Sequence, residues 1–538
     1  MMTKHYKTRQ IKLLFIICYI SFSNIVLTAC GDFLDEMPDN RTEIETEDHV
    51  QKLIASAYPE ATYMLLGEYM SDNVDDHGVN NPYTNRFYNQ VYAWDDVTET
   101  ENDSPEMLWQ ASYSAIAAAN QALKSIDEMG GPTTQGLREA RGEALLCRAY
   151  NHFILTNMFC MHYQAADETS LGVPYSTDPE TTLTPDYERS TVKGNYEQIE
   201  RDLAEGLELV GESYYQVPKY HFNKKAAYAF ATRFYLYYEQ YDKAIHYASM
   251  VLGSNPKTML RDYEAQSTMT QEFTAIRLHY IDPVLNSNLL LATAYSMIGW
   301  AFGPYTEGKR YSHGSYISLH EDANALNVWG LAGWYMGLKE YAATNREYYI
   351  YWRTPNIVQN SYARTAYPLF TADEVLLDRA EAYIMQKRFD DAAQDLTIWL
   401  QNTNQVANDK QLQLTPDSIT KFYQNIDYSY TPSPTDPDGI GSTIKKHLHP
   451  AFSIDAEGST QECMLQLTLC CRRIETLGLG RRWFDVKRWG IEIPRRLLNV
   501  SGNPERITDW LTPDDPRRAV QIPQKAITAG LPANPRNK

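Results

Sequence analysis

The chain reads as an all-α protein, a tetratricopeptide-like stack of helix pairs carrying one long loop-rich, aromatic-rich segment. Three observations predict this. Apolar residues recur at spacings of three and four over long stretches. Two segments 148 residues apart align without gaps as helix, tight turn, helix. Between Gly253 and Thr371 the helical period fades, and Gly, Pro, Asn and aromatic residues take over.

The N-terminus carries its own signal. Lys4, Lys7, Arg9 and Lys12 stand without an acid, then an apolar run from Leu13 ends in Leu27-Thr28-Ala29-Cys30. Small side chains beside the scissile bond and a cysteine after it are what lipoprotein processing needs, so residues 1–29 are expected to leave as a signal peptide. Cys30 then carries the acyl chains, each buried CH₂ contributing about 0.8 kcal/mol. Ser21, Ser23 and Asn24 break the run and argue against a spanning helix. Residues 30–45 are expected to form the lipidated tether.

Helices follow. Val50, Leu53, Ile54, Ala57, Ala61 and Leu65 keep a helical stripe; Trp109, Tyr113, Ile116, Asn120 and Leu123 make a second, and Val192, Tyr196, Ile199, Leu203, Leu207 and Val210 a third. Ala140 to Phe159 is rich in Ala and aromatic residues. In the aligned pair, Tyr235, Tyr241, Asp242, Ala244, Ala248 and Leu252 match Tyr383, Phe389, Asp390, Ala392, Leu396 and Leu400. Each half has an aromatic plug before the turn and small residues where the second helix closes on the first, the logic of a stacked helical repeat. From Tyr295 to Trp352, 14 of 58 residues are aromatic, about twice the 12% of the whole chain, which suits either a second small core or a ligand platform.

The net charge of −19 disfavours nucleic acid as a partner. Removing the basic leader makes the remainder more acidic still. Beyond Cys30 the cysteines are Cys147, Cys160, Cys463, Cys470 and Cys471, an odd set with two adjacent, which argues against a disulfide framework. No C-x-x-C, H-E-x-x-H, G-x-S-x-G, P-loop or dinucleotide fingerprint is present. Asp72, Asp75, Asp76 and His77 lack the spacing and closing Glu of a calcium loop. No motif thus points to a metal, cofactor or catalytic residue, and a surface glycoside hydrolase, which needs only two placed carboxylates, stays open as an alternative.

The densest motif runs from Arg472 to Trp489. Read as a helix, it places Asp485 near Arg481, Arg482 and Arg488, and Glu475 near Arg472, as structural ion pairs. Here the chain resembles the SusD/RagB family, surface lipoproteins of Bacteroidetes nutrient uptake. The family signature Arg-x-x-Glu…Glu-Gly-x-Arg-Trp-x-Asp-Leu-x-Arg is matched by Glu475, Gly480, Arg482, Trp483, Asp485 and Arg488. Asp32-Phe33-Leu34-Asp35 with Pro38, Trp109-x-x-x-Tyr113-x-x-Ile116 with Asn120, Glu374-Val375-x-Leu377 with Ala380-Glu381-Ala382, and the closing Ile522-Pro523-Gln524 and Asn534-Pro535 are also similar. Leu479, where the family has Glu, and Thr371, where Arg is common, depart from it.

The resemblance implies one SusD-like body over 46–538: an N-terminal region of about 46–252, a loop-rich ligand segment of about 253–371 and a C-terminal region of about 372–538. It implies a non-catalytic lid at the outer membrane, capping a SusC-like TonB-dependent porin and capturing oligosaccharide, with peptide or another nutrient as the alternative ligand. By loop position it points to Asp72, Asn73, Arg86 and Trp94, then Trp300, Tyr305 and Trp329, as ligand-binding residues.

Overall fold

Helix formation along the chain follows its capping residues. The computed structural model describes residues 44–179, 187–269, 273–302, 308–322, 332–333, 338–341, 347–350, 356–357, 364–405 and 412–536; Cys30, Tyr305 and Trp329 lie outside them. Contacts group the chain into Met1–Thr46 and one unit from Glu47 to Lys538. In that second unit the described helices used below are α1 (Glu47–Ile54), α2 (Met64–Met70), α3 (Arg86–Tyr92), α4 (Pro105–Glu128), α5 (Gln135–Phe159), α6 (Val192–Leu209), α7 (Lys224–Tyr237), α8 (Tyr241–Leu252), α9 (Ala372–Met385), α10 (Phe389–Thr403), α11 (Pro416–Gln424), α12 (Thr460–Glu475) and α13 (Arg482–Arg488). Asn85, Ser104, Thr134, Thr191, Asn223, Thr371, Thr415 and Ser459 each accept a backbone N–H in the first turn of the helix that follows.

The first predicted stripe is interrupted. α1 stops at Ile54 and a short 3₁₀ turn ends at Ala57, because Tyr58 precedes Pro59 and is pushed to extended backbone at φ −94°, ψ 128°. The second and third stripes are the buried faces of α4 and α6, packed on either side of α5. α5 is buried along nearly its whole length, as its Ala- and aromatic-rich sequence requires. At its C-terminus the buried Lys487 donates from Nζ to the carbonyls of Asn157 and Cys160, at 2.5 and 2.6 Å.

The aligned segments are the pairs α7–α8 and α9–α10. Their turns share a backbone form: Glu239 and Lys387 take the left-handed conformation at φ 60° and 58°. Gln240 and Arg388 donate backbone N–H to Tyr235 and Tyr383, both at 2.9 Å. Ala244, Ala248, Ala392 and Leu396 are fully buried where the helices close. α8 packs on α9, and α9 in turn on α12, which extends the stack.

The fold is mostly helical with minor sheets. β1 (Asp75–Asp76), β2 (Asn288–Tyr295), β3 (Tyr311–Ser312), β4 (Arg364–Thr371), β5 (Ile493–Leu498) and β6 (Pro504–Leu511) position the site. Within the segment where no regular structure is expected, β2 and β4 pair antiparallel from Asn288↔Thr371 to Tyr295↔Arg364. A second sheet has the order β6-β5-β1-β3, so a short N-terminal strand lies parallel to a C-terminal one. Shorter pairs join 338–341 to 347–350 and 332–333 to 404–405.

The arginine-rich motif is buried and paired, but the partners differ from a continuous-helix reading. The chain leaves helix after Glu475 and re-enters at Arg482, and Arg481 and Arg482 take acids from other elements in place of Asp485. Arg481 instead pairs with Glu374, Arg482 forks onto Asp72 at 2.8 and 2.9 Å, and Asp485 is held by Arg472 at 3.0 Å and Arg488 at 3.5 Å. Glu475 does not meet Arg472. It accepts from Trp399 Nε1 at 3.0 Å and Tyr263 Oη at 3.3 Å. The break depends on Gly480, at φ 68°, where a Cβ would sit 2.4 Å from the Met64 carbonyl oxygen. The five cysteines beyond Cys30 are all free and buried.

Candidate functional site

Three segments enclose a cleft of about 840 Å³: the turn 82–88 leading into α3, the strap 93–104 between α3 and α4, and the helical turn Ile298–Ala301 that follows β2. Asn85 caps α3 by accepting the Tyr88 N–H at 3.0 Å, which turns Arg86 and Phe87 toward the opening. Tyr83 is 65% exposed, far more than a core ring. Its backbone is tied to the chain after the cleft: Tyr83 N–H donates to Gly308 at 2.9 Å, and Arg310 N–H returns to the Tyr83 carbonyl at 3.3 Å. Gly308 sits at φ 73°, and a Cβ there would come within 2.7 Å of the Tyr83 ring, so this approach requires glycine.

The strap is pinned at both ends by non-glycine residues in left-handed backbone. At one end Trp94, φ 56°, is buried and donates Nε1–H to the Met70 carbonyl at 2.8 Å beneath the Arg495 guanidinium, 3.8 Å from its ring centre. At the other end Asp103, φ 68°, is 1% exposed and lines the cleft. It accepts from Ser296 Oγ at 2.5 Å and from Met297 N–H at 2.6 Å. Burial pushes its carboxyl up to about 7, against the pull of those two hydrogen bonds. Among the described residues Asp103 forms no ion pair. Between the anchors, Glu99, Glu101 and Asn102 line the cleft.

Trp300 closes the far side, half-buried. Lys309 lies against it, Nζ 3.3 Å from the ring centre, and donates to the carbonyls of Trp300 and Ala301, capping the helical turn. Burial lowers this lysine to about 7. Four aromatic rings, Tyr83, Phe87, Tyr88 and Trp300, thus share a cleft with polar atoms of Asn85, Asn102 and the strap carboxylates.

Of the residues expected by loop position, Arg86 and Trp300 are brought together here. Asp72, Asn73 and Trp94 are not. Asp72 is buried between Arg482 and Arg473; burial alone would raise its carboxyl, but the two guanidinium groups outweigh it and hold it well below the usual range. Asn73 is fully buried, donating to Glu68 Oε1 at 2.9 Å and accepting from Arg473 Nε at 2.8 Å. Trp94 anchors the strap. Their side chains are committed to the interior, and the ligand role expected for these three is corrected to a structural one. Sequence reasoning missed Tyr83 and Asp103. Pro82 before Tyr83 and Ser104-Pro105 after Asp103 mark turns, but the contacts that place both residues come from the chain more than 190 positions onward.

A second cleft of about 480 Å³ lies beside the strap, lined among others by Leu66, Val91, Pro105 and Ile522. The ion pair Arg536–Asp96, at 2.7 Å, joins two of its lining residues. No group of His, Cys, Asp and Glu among the described residues could hold a metal ion, and no described helix is long and apolar enough to cross a membrane.

Residues 32–236 match the family model SusD-like_3, described as starch-binding associating with outer membrane. No curated protein matches the chain. Among solved structures, a SusD superfamily protein from Bacteroides thetaiotaomicron is similar at 19% identity and a TM-score of 0.62, covering 91% of this chain and 100% of that one. A SusD superfamily protein from Bacteroides vulgatus is similar at 18% identity and 0.61, covering 91% and 99%. A structure described as a SusD-like carbohydrate binding protein, also from Bacteroides vulgatus, is similar at 15% identity and 0.60, covering 90% and 96%. The family model thus matches the N-terminal part of the chain, and the fold is that of SusD superfamily structures over nine-tenths of its length.

Proposed function

We propose that this protein captures oligosaccharide at the Tyr83–Trp300 cleft, as a lipid-anchored lid at the cell surface, and passes it to a SusC-like TonB-dependent porin. The observation that carries the reading is the cleft itself, where exposed and half-buried rings stand beside buried hydrogen-bonding groups. A pyranose presents one apolar C–H face and a rim of hydroxyls. Laying that face on a ring removes about 50 Å² of apolar area from water, worth about 1 kcal/mol, while the hydroxyls turn to acceptors such as Asp103 and Asn102. Two or three such contacts give moderate affinity, which suits a protein that must release what it binds. The family description and the carbohydrate-binding description of one neighbour support a glycan rather than another nutrient. SusD-family binding proteins are non-catalytic, and bound glycan is expected to leave unchanged.

Anchoring rests on Cys30, expected to take the acyl chains after cleavage. The porin partnership rests on the family relation. Titration calorimetry against a panel of oligosaccharides, with product chromatography on the same samples, tests the central reading. Saturable binding without shortening of the glycan supports it; binding of peptides alone, or enzyme-dependent shortening, rejects it. Pull-down from solubilised outer membrane tests the partner, with a large TonB-dependent protein expected in near-equal amount.

A further inference from the structure

Charge sorts what such a cleft admits. Among the described residues its lining carries three carboxylates, Glu99, Glu101 and Asp103, against one guanidinium, Arg86. Arg86 is already turned on one of the three, its Nε 3.7 Å from Glu99 Oε1. Lys309, also nearby, spends its protons on the carbonyls of Trp300 and Ala301 and lies against the indole. Asp103 is bound only by neutral donors, a hydroxyl and an amide N–H, so one buried carboxylate facing the cleft has no cationic partner among the described residues. A space of about 840 Å³ is on the order of 10 Å across, close to the Debye length of about 8 Å in physiological salt, so a charge on a bound sugar feels every one of these groups.

We propose that the cleft selects glycans by charge, admitting neutral and amine-bearing oligosaccharides and rejecting those that carry uronate or sulfate groups. The inference rests on the reading of the cleft as a sugar site. An ammonium group on a sugar supplies the counter-charge that Asp103 lacks, and a carboxylate meets the uncompensated acids of the strap, Glu101 foremost.

The test uses maltotetraose, cellotetraose, mannotetraose and galactotetraose, each also as its C6-carboxylate and its 6-amino-6-deoxy form, titrated into the full folded protein. For whichever parent binds, the carboxylate form is expected to bind at least tenfold more weakly in 20 mM NaCl. That gap should close by at least threefold in 500 mM NaCl and again in the Glu99→Gln/Glu101→Gln double variant. The amino form should bind at least as tightly as the parent. A carboxylate form that binds as well as its parent, or a gap that neither salt nor the double variant reduces, overturns charge selection while leaving the sugar site standing. Failure of all four parents and all their derivatives overturns the sugar site and this inference together.

Discussion

At the scale of single residues, Asp103 and the aromatic rings make opposite demands on stability. Asp103 has its carboxyl raised by burial to about 7, above the ordinary value of about 3.9 in an unfolded chain. The folded protein therefore binds the extra proton across that window, and this residue's contribution is complete below about pH 4 and is lost as the pH rises through about 7. Asp103→Asn keeps an acceptor for Met297 N–H and removes the titration. Relative to the variant, the wild type should lose a few kcal/mol of stability between pH 4 and pH 7.5, measured by denaturant unfolding at each pH; parallel curves would contradict the assignment. The rings divide by exposure. Trp94→Ala should cost about 3–5 kcal/mol, as for other buried tryptophans, whereas Tyr83→Ala, at a ring 65% exposed, should leave the melting temperature nearly unchanged. Loop position alone was enough to place Arg86 and Trp300 at one opening, which both of them line. Asp72 and Trp94 misled for a physical reason: an acid or an indole in a loop looks the same in sequence whether its partner is a ligand or an arginine some 400 residues away.

Among elements, the helix pairs were readable because their signals are local. An aromatic plug, a left-handed turn residue and small closing residues fall within one segment, and the turns of both pairs coincide in φ and in hydrogen bond. β2 and β4 were not readable. The run 288–295 is buried over most of its length, so it lacks the polar alternation that marks a half-exposed strand, and nothing in it names a partner 70 residues on. Thr371 shows what a departure from the family pattern does at this scale. In place of the common arginine it ends β4 and caps α9, its Oγ accepting the Glu374 N–H at 3.2 Å. Thr371→Ala should cost about 1 kcal/mol in thermal unfolding, the usual worth of such a cap, and a loss of several would mean that the residue does more. Gly480→Ala is a harsher change. The added Cβ meets backbone rather than a yielding side chain, so several kcal/mol or failure to fold is expected, against a loss of about 1–2 kcal/mol at Gly130, where nothing lies within 4 Å and only the left-handed backbone at φ 94° opposes a side chain.

Across the whole molecule, buried charge ties distant parts of the chain to one another. Glu321 is fully buried between Lys446 at 2.5 Å, Arg473 at 2.9 Å and Arg496 at 2.5 Å, while Arg473 also reaches Asp72 and Arg496 reaches Asp75. Burial raises the Glu321 carboxyl, but the three cations outweigh it and hold it well below the ordinary range. Its stabilisation is thus in full force above about pH 4 and fades only as acid protonates the folded form. Removing one partner of such a buried set leaves charge uncompensated, and Glu321→Gln should cost about 3–5 kcal/mol at pH 7 by denaturant unfolding. This is also where sequence and structure part most clearly: the arginines of 472–488 were visible as structural, but their partners at 72, 321 and 374 depend on the fold that the ion pairs hold together.

The central claim, that the Tyr83–Trp300 cleft is where glycan binds, meets its most direct test in one calorimetric titration series with the tetrasaccharide panel against wild type, Tyr83→Ala and Trp300→Ala. The cleft reading predicts saturable binding of at least one tetrasaccharide to the wild type and a loss of affinity of at least several-fold in both variants, with the Tyr83→Ala protein melting as the wild type does. Unchanged affinity in both variants would place the site elsewhere and contradict it.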